Sequence, residues 1–319
     1  MLVRPAATRD ERVAALTLLL AETSSPDDLS ADVVQVVDLH ARGELNLDGL
    51  LIAADEARGA EPCGSTLVTP GAGGAADLFP PRLLPAAPAA AAAALLAAAG
   101  DFAAAAGCDR LQAFADPVRT DDAAVFTAAG FDRIAELRLL RRDCARPTEP
   151  GATPWDSLRT LGRKSERLFR ETARASYADS RDAPDARGAD ADEDFDAHAA
   201  APGFRPDLCR LALRGGEPLG LVLISASGEG AAAEWDVCYL GVTPAARRRG
   251  VGRALLAERL AAARDAGAAA VTCVVDADNA PARRLYAAAG FAETGSRALF
   301  LKRLEPEPAG RPAERRSGD

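Results

Sequence analysis

Histidine is almost missing from this sequence: His40 and His198 are the only two in 319 residues. A histidine-rich metal centre and a Ser-His-Asp triad are set aside on that count. The six cysteines (Cys63, Cys108, Cys144, Cys209, Cys238 and Cys273) are scattered and form no CxxC pair. They read as small core residues, not as disulfide partners or zinc ligands. Long apolar runs are missing too. The nearest approach, residues 89–106, is small-sided and interrupted by Gly100 and Asp101, which suits a helix of a globular domain better than a membrane span. Residues 1–10 lack the apolar stretch of a secretory signal, so the expected location is cytoplasmic, with no membrane partner. Aromatic residues make up 5% of the chain, and 38 Lys and Arg against 47 Asp and Glu leave a net charge of −9. That composition offers a nucleic acid neither a stacking platform nor bulk attraction. What the chain has in quantity is core material: 48% hydrophobic residues beside 27% charged, over a length that suits one large or two ordinary domains.

The sequence repeats itself. Tyr286-Ala-Ala-Ala-Gly290-Phe291 echoes Phe126-Thr-Ala-Ala-Gly130-Phe131 at a spacing of 160, which also matches Gly267 to Gly107, Asp276 to Asp116 and Ala254-Leu-Leu256 to Ala94-Leu-Leu96. Upstream, Glu217-Pro-Leu-Gly220 echoes Glu61-Pro-Cys-Gly64 at a spacing of 156. Two copies of one domain are expected. The boundaries are 1–146 for the first, a Pro-rich linker over 147–154, 155–304 for the second, and a disordered, charged tail over 305–319.

The second copy shows its elements best. Residues 208–214 and 218–225 are β-rich runs around Gly215-Gly216-Glu217, a hairpin signal, and 232–242 is a third strand. A helix is expected over 250–266 and a short buried strand over 270–275. Asn279 caps a second helix that ends near Gly290, and a strand over 299–303 closes the copy. This order makes a mixed sheet of the α/β (α+β) class.

Between the third strand and the first of these helices lies Val242-Thr-Pro-Ala-Ala-Arg247-Arg248-Arg249-Gly250-Val251-Gly252-Arg253. A strand-to-helix turn presents unpaired N–H groups and a positive dipole end, glycines let the backbone approach a ligand, and arginines supply counter-charge: together an anion site. A dinucleotide fingerprint fails because position 255 is Leu, and a P-loop fails for want of Gly-Lys-Ser/Thr.

Arg247-x-x-Gly250-x-Gly252 after a strand, followed by Asp278-Asn279-x-Pro281-Ala-x-x-Leu285-Tyr286-x-x-x-Gly290-Phe291, closely resembles the GCN5-related N-acetyltransferase (GNAT) superfamily. The resemblance implies two tandem GNAT-like domains, each a mixed, mostly antiparallel twisted sheet flanked by helices. It implies acetyl-CoA as acyl donor, no metal, and a small-molecule or peptide amine as acceptor. Amides of the turn from Arg248 through Gly250, Val251 and Gly252 to Arg253, with the charges of Arg247, Arg248 and Arg249, would hold the pyrophosphate. The strand end from Leu240 to Val242 would pair with the pantetheine arm and offer an oxyanion N–H. Asn279 matches a cofactor-contacting position. Tyr286 matches the residue that protonates the departing thiolate, for which a phenol pKa of about 10 suffices. For the base that takes the amine proton, Asp236, Glu234 on the same strand face, and water alone all stay open. Acceptor identity, acyl length and oligomeric state stay open as well, and a non-catalytic acyl-CoA-binding or regulatory protein is the rival reading.

The 160-residue register predicts that the first copy has lost this chemistry. Gly250 and Gly252 become Ala90 and Ala92, Arg247 and Arg249 become Ala87 and Ala89, Tyr286 becomes Phe126, and Asp236 becomes Ala76. Pro80, Pro81, Pro85 and Pro88 remove N–H donors. The acidic run 182–196 precedes the hairpin; it reads as a flexible solvated loop, and it lacks the glycine and closing Glu of a calcium loop.

Overall fold

In a computed structural model the chain is described over residues 1–21, 25, 27–54, 62–71, 73–117, 120–148, 152–178, 191–228 and 232–304. It divides into two compact units. The first comprises Met1–Ala115, Arg119–Asp132 and the residues from Phe300 on. Its elements are β1 (Leu2–Pro5), α1 (Arg9–Leu20), α2 (Leu29–Ala41), β2 (Leu50–Ala54), β3 (Pro62–Pro70), β4 (Ala75–Leu78), β5 (Arg82–Leu83), α3 (Ala91–Ala105), β6 (Arg110–Ala115) and α4 (Thr120–Ala128). The strands are antiparallel except for the β4–β6 pair. Thr8 and Glu11 form a reciprocal capping box that starts α1. Leu16 and Leu19 of α1 and Val33 and Val37 of α2 then pack with Leu50 and Ile52 of β2. The alanine-rich stretch is α3, which buries Leu95 and Leu96. No helix among the described residues is long and apolar enough to cross a membrane.

The second unit comprises Asp116–Val118 and Arg133–Leu299. It contains β7 (Asp132–Asp143), β8 (Ser157–Thr160), α5 (Glu166–Tyr177), α6 (Ala191–Ala200), β9 (Arg210–Arg214), β10 (Glu217–Ser227), β11 (Glu234–Val242), α7 (Val251–Asp265), β12 (Ala270–Asp276), α8 (Ala280–Ala288) and β13 (Ala292–Arg303). The sheet runs β7-β12-β11-β10-β9-β8, with β11–β12 its parallel pair. The β9–β10 hairpin turns on Gly215 (φ 57°) and Gly216 (φ 85°), both left-handed as a two-residue type I′ turn requires. Along β10 the side chains alternate. Leu221 and Leu223 join Phe169, Phe195, Leu211 and Leu213 under α5 and α6. Val222 and Ile224 join Trp235, Val237, Leu255, Leu256, Leu260 and Tyr286 on the face of α7 and α8.

Residues 133–146, grouped by the repeat with the first copy, sit here: β7 runs beside β12 from Asp143 opposite Ala270 to Leu137 opposite Asp276. A parallel strand such as β12 has a second edge whose N–H and C=O groups need partners, and β7 supplies them. The homologous last strand of the second copy divides differently. Residues of β13 up to Leu299 belong to the second unit, where Arg138 meets Glu293 at 2.9 Å. Its last residues belong to the first unit, where Phe300 packs 5.2 Å from Phe126 and Leu304 N–H donates to Asp109 O at 2.8 Å.

Candidate functional site

The turn after β11 is built by backbone conformation. A single 3-10 turn, Pro244–Ala246, leads into extended Arg247 (ψ 153°). Arg248 then adopts φ 63° and Gly250 φ 79°, and α7 begins at Val251. A Cβ on Gly250 would meet nothing within 4 Å, so glycine is needed here for its left-handed φ and not for space. As N-cap, Gly250 has no side chain to offer the first turn of α7, so those N–H groups have no side-chain cap.

This helix end faces a parting of two strands. The β11–β12 ladder is short, pairing Glu234 to Val237 with Ala270 to Cys273. Beyond it β11 continues to Val242 and β12 to Asp276 without pairing to each other. At the point of parting, Leu223 faces Tyr239 and Ile224 faces Val237, so Cys238 is an extra residue, a β-bulge that swings β11 away from β12. The result is a cleft of about 780 Å³ lined by the end of β11, the turn, Val274 and Val275 of β12, one face of α8, and Ser176 of α5.

Most residues expected at the site are assembled around this cleft. Leu240, Val242, Arg247, Arg248, Gly250, Val251, Gly252, Arg253, Asn279 and Tyr286 all line it. Arg249 is exposed and is not among the lining residues. Asn279 caps α8 by accepting from Ala282 N–H at 3.2 Å, which leaves its amide NH₂ as the group able to donate to a ligand. Tyr286 is 6% exposed, with its ring edge-on to Phe291 at 5.3 Å. Arg247 lines the cleft, but its guanidinium donates to the carbonyls of Val242 (3.3 Å), Ser176 (3.1 Å) and Ala178 (2.5 Å).

Neither carboxylate considered as base is part of the cleft wall. Asp236 lies between Trp235 and Val237 and so points to the opposite face of the sheet, where it accepts from Thr272 Oγ1 at 2.8 Å. Burial pushes its carboxyl above the usual range, against the hydrogen bonds from Thr272 and Cys238. Glu234 pairs with Arg141 at 2.9 Å.

Arg284 and Ser176 are among the cleft residues that escaped the sequence reading. Arg284 lines the cleft one helical step from Pro281 and beside Leu285, so the i, i+3, i+4 spacing from Pro281 was the available signal. Ser176 reaches the cleft from a helix far upstream, its Oγ 2.8 Å from Tyr239 Oη. The acidic run needs a correction. Asp182, Asp185 and Asp190 lie outside the described residues, but Asp192, Asp194 and Asp196 belong to α6 and are not in a loop. Arg170 of α5 binds Asp196 at 2.6 Å and Arg174 binds Asp192, which neutralises the charge that argued for an open loop.

The corresponding place in the first unit is different. The equivalent of β11 is broken into β4 and β5 at Phe79-Pro80-Pro81, and both pieces pair with β3. Where Val242 lies opposite Gly220, Leu83 lies opposite Gly64. Next to it Arg82 reaches Asp122 of α4 through two hydrogen bonds, 3.0 and 3.3 Å, within a cavity of about 220 Å³ that Ala92 and Phe126 also line. The ladder also revises one correspondence. Asp77 faces Gln112 as Asp236 faces Thr272, so the counterpart of Asp236 is Asp77 and not Ala76. The segment between strand and helix is one residue shorter in the first copy, and the 160 spacing does not hold across it.

Comparison with known proteins agrees with this geometry. Residues 169–291 match the family model described as the acetyltransferase (GNAT) family. The chain is 34% identical over 186 residues to a mycothiol acetyltransferase of Acidothermus cellulolyticus, covering 54% of this chain and 55% of that protein. It is 37% identical over 127 residues to a mycothiol acetyltransferase of Cellulomonas flavigena, covering 38% and 35%. The alignments thus span about half or less of the length of these curated relatives. Among solved structures, a GCN5-related N-acetyltransferase from Sphaerobacter thermophilus aligns over 96% of both chains with a TM-score of 0.66 at 16% identity. A tandem GNAT protein from the clavulanic acid biosynthesis pathway aligns over 96% of this chain and 99% of that one with a TM-score of 0.57 at 19% identity. At such identities the likeness is one of fold. The chain therefore has the fold of these GNAT structures, the tandem protein among them, and its residues 169–291 match the acetyltransferase (GNAT) family model.

Proposed function

We propose that this protein is an acetyl-CoA-dependent N-acetyltransferase that moves an acetyl group to an amine by direct transfer in a ternary complex. In this reading the second copy is active and the first is structural. The observation that carries it is the uncapped start of α7, with Gly250 left-handed, facing the gap between β11 and β12. Those features suit acetyl-CoA: helix N–H groups for a pyrophosphate, unpaired strand edges for an amide-bearing arm, and the exposed arginines 248, 253 and 284 around the mouth.

When bound, acetyl-CoA would supply the activated acetyl thioester. The amides from Arg248 to Arg253 would hold its phosphates, Asn279 NH₂ would donate to it, and the edge of β11 from Leu240 to Val242 would orient the carbonyl and offer it an N–H. Tyr286 Oη would give its proton to the leaving sulfur. A phenol of pKa about 10 can protonate a thiolate of about 8.5 when it is held within hydrogen-bond reach. Holding amine and thioester side by side supplies much of the remaining acceleration. Proton removal from the amine falls to water or to Asp236 reached through water, because the Asp236 side chain faces away from the cleft wall.

Support for a structural first copy is its broken strand, the Arg82–Asp122 pair across the matching cavity, and Phe126 in place of Tyr286. The rival reading, a non-catalytic acyl-CoA-binding protein, would not need a phenol in the cleft wall. The name of the curated relatives makes mycothiol chemistry the first acceptor class to assay, beside other small-molecule and peptide amines. Calorimetric titration of acetyl-CoA into the wild type and a Gly250→Asp/Gly252→Asp variant tests the core of the reading. One site per chain, lost in the variant, is expected; two sites would overturn the role given to the first copy, and no binding would overturn the function.

A further inference from the structure

Arg247 is the first residue of the arginine cluster in the turn, yet its guanidinium points away from where a phosphate would lie against α7. Its Nε donates to Val242 O at the end of β11, and its Nη2 donates to Ser176 O and Ala178 O. The last two carbonyls belong to the C-terminal end of α5, which carries the negative end of the helix dipole. That end has no glycine: the C-cap is Ala178, with extended ψ of 124°. A helix that stops without a glycine cap leaves carbonyls in need of donors, and a cation from a distant part of the chain supplies them here.

The same junction is packed tightly. Ser176 Oγ bonds to Ala173 O and lies 2.8 Å from Tyr239 Oη. A Cβ on Gly241 would fall 2.6 Å from the Tyr239 ring and closer still to Ser176 Oγ, so only glycine lets α5 sit this near β11. Tyr239 in turn packs against the tilted rings of Tyr177 at 4.9 Å and His198 at 5.7 Å, which extends the contact to α6.

We propose that Arg247 is a positioning residue that caps α5 and ties it to the end of β11, so that the acyl-CoA turn and the α5 wall of the cleft move as one body, and that its side chain is not a counter-charge for the pyrophosphate. The inference rests on the acetyl-CoA reading above for the second half of that statement only. Because Arg247 acts through carbonyls, its loss should loosen α5 without removing an ionic contact to the ligand.

The test compares wild type, Arg247→Met, Arg247→Lys and Arg253→Met. Acetyl-CoA affinity is measured by calorimetry across a sodium chloride series, and amide hydrogen exchange is followed over 170–178 with and without acetyl-CoA. Arg253→Met should flatten the dependence of log Kd on log salt, because an exposed counter-charge is screened by salt. Arg247→Met should keep the wild-type slope while exchange over 170–178 quickens about tenfold, the loss expected for hydrogen bonds from a charged donor. Acetyl-CoA should slow exchange of that segment in the wild type and fail to do so in Arg247→Met. Arg247→Lys, which keeps the charge and part of the cap, should fall between and guards against a variant that does not fold. A slope flattened by Arg247→Met as much as by Arg253→Met, with α5 exchange unchanged, would overturn the inference. If the wild type binds no acetyl-CoA, the functional reading fails, and exchange in the free protein still decides the tether: unchanged rates over 170–178 in Arg247→Met would sink it.

Discussion

Arg142 offers a quantitative check on how the second unit holds α8 in place. The residue lies on β7 opposite Val271, is 3% exposed, and has no carboxylate among its hydrogen-bond partners in the described residues. Its Nε donates to Ala289 O at 2.7 Å, the C-cap of α8, and its Nη2 donates to Arg146 O, Pro147 O and Thr148 Oγ1 at 2.9 to 3.0 Å. Arg146 adds a bond to Gly290 O at 3.1 Å. Arg142→Met keeps the apolar stem and removes the donors. The carbonyls of 146 and 147 lie on exposed residues and regain water. Ala289 O is the costly loss, worth about 1.5–3 kcal/mol for a bond from a charged donor, with about 0.3–1 more for the helix dipole. Relief of the buried charge, whose burial already lowers the Arg142 pKa, offsets part of this. A net cost of about 2 kcal/mol follows, equivalent to about a thirtyfold faster opening of α8. Native-state hydrogen exchange over residues 284–289 reads this directly, with urea unfolding as a companion. Exchange within about threefold of wild type and an unchanged urea midpoint would refute the reasoning, because the bonds to Ala289 would then be carrying nothing.

Three other outcomes are expected. Tyr286→Phe should leave acetyl-CoA affinity within about twofold while lowering the rate of CoA release in an acceptor assay by about 10²–10⁴-fold, the usual contribution of a general acid. Asp236→Asn should steepen the rise of stability with pH on the acid limb of the stability curve. Because burial raises the Asp236 carboxyl above its ordinary 3.8, the folded chain holds that proton more tightly than the unfolded one. Its contribution is therefore fully present below about 3.8 and is lost as pH rises through the raised native value; urea midpoints of the two proteins that run parallel across that window would contradict the assignment. Cys209, fully buried with its thiol pushed up to about 12 by burial, should resist iodoacetamide at pH 8 in the native protein and react after denaturation, as mass spectrometry of the labelled peptide will show.

What the sequence made legible is whatever local chemistry dictates. Gly215-Gly216 announces a type I′ turn, Asn279 and Pro281 announce a helix start, and Gly250 announces a left-handed N-cap; each sits where its backbone preference requires. What was not legible depends on partners distant in the chain. The repeat records which strands are alike, and β7 and β13 are alike, but no property of either strand states whose edge it will complete. The acidic residues of α6 looked like a solvated loop because the arginines that neutralise them lie on α5. For Arg247 the motif gives the place in the turn and not the direction of the guanidinium, which donates to three carbonyls distant from it in the turn or in the chain.

The duplicated chain also separates framework from chemistry. Phe126 and Phe131 pack at 5.2 Å in one copy as Tyr286 and Phe291 do at 5.3 Å in the other, so an aromatic pair at this place is part of the frame. The phenol oxygen is what the second copy adds to it. Asp77 with Gln112 and Asp236 with Thr272 repeat in the same way: a carboxylate on β4 and its counterpart on β11 each accept a hydrogen bond from the facing strand. A feature kept where the cleft is bridged by Arg82 and Asp122 is not explained by transfer chemistry alone. By that logic the hydroxyl of Tyr286, the left-handed Gly250 and the small Gly252 are the features specific to the second copy. The Asp236 carboxylate is a cross-strand partner in the second copy as Asp77 is in the first, whatever part it takes in transfer.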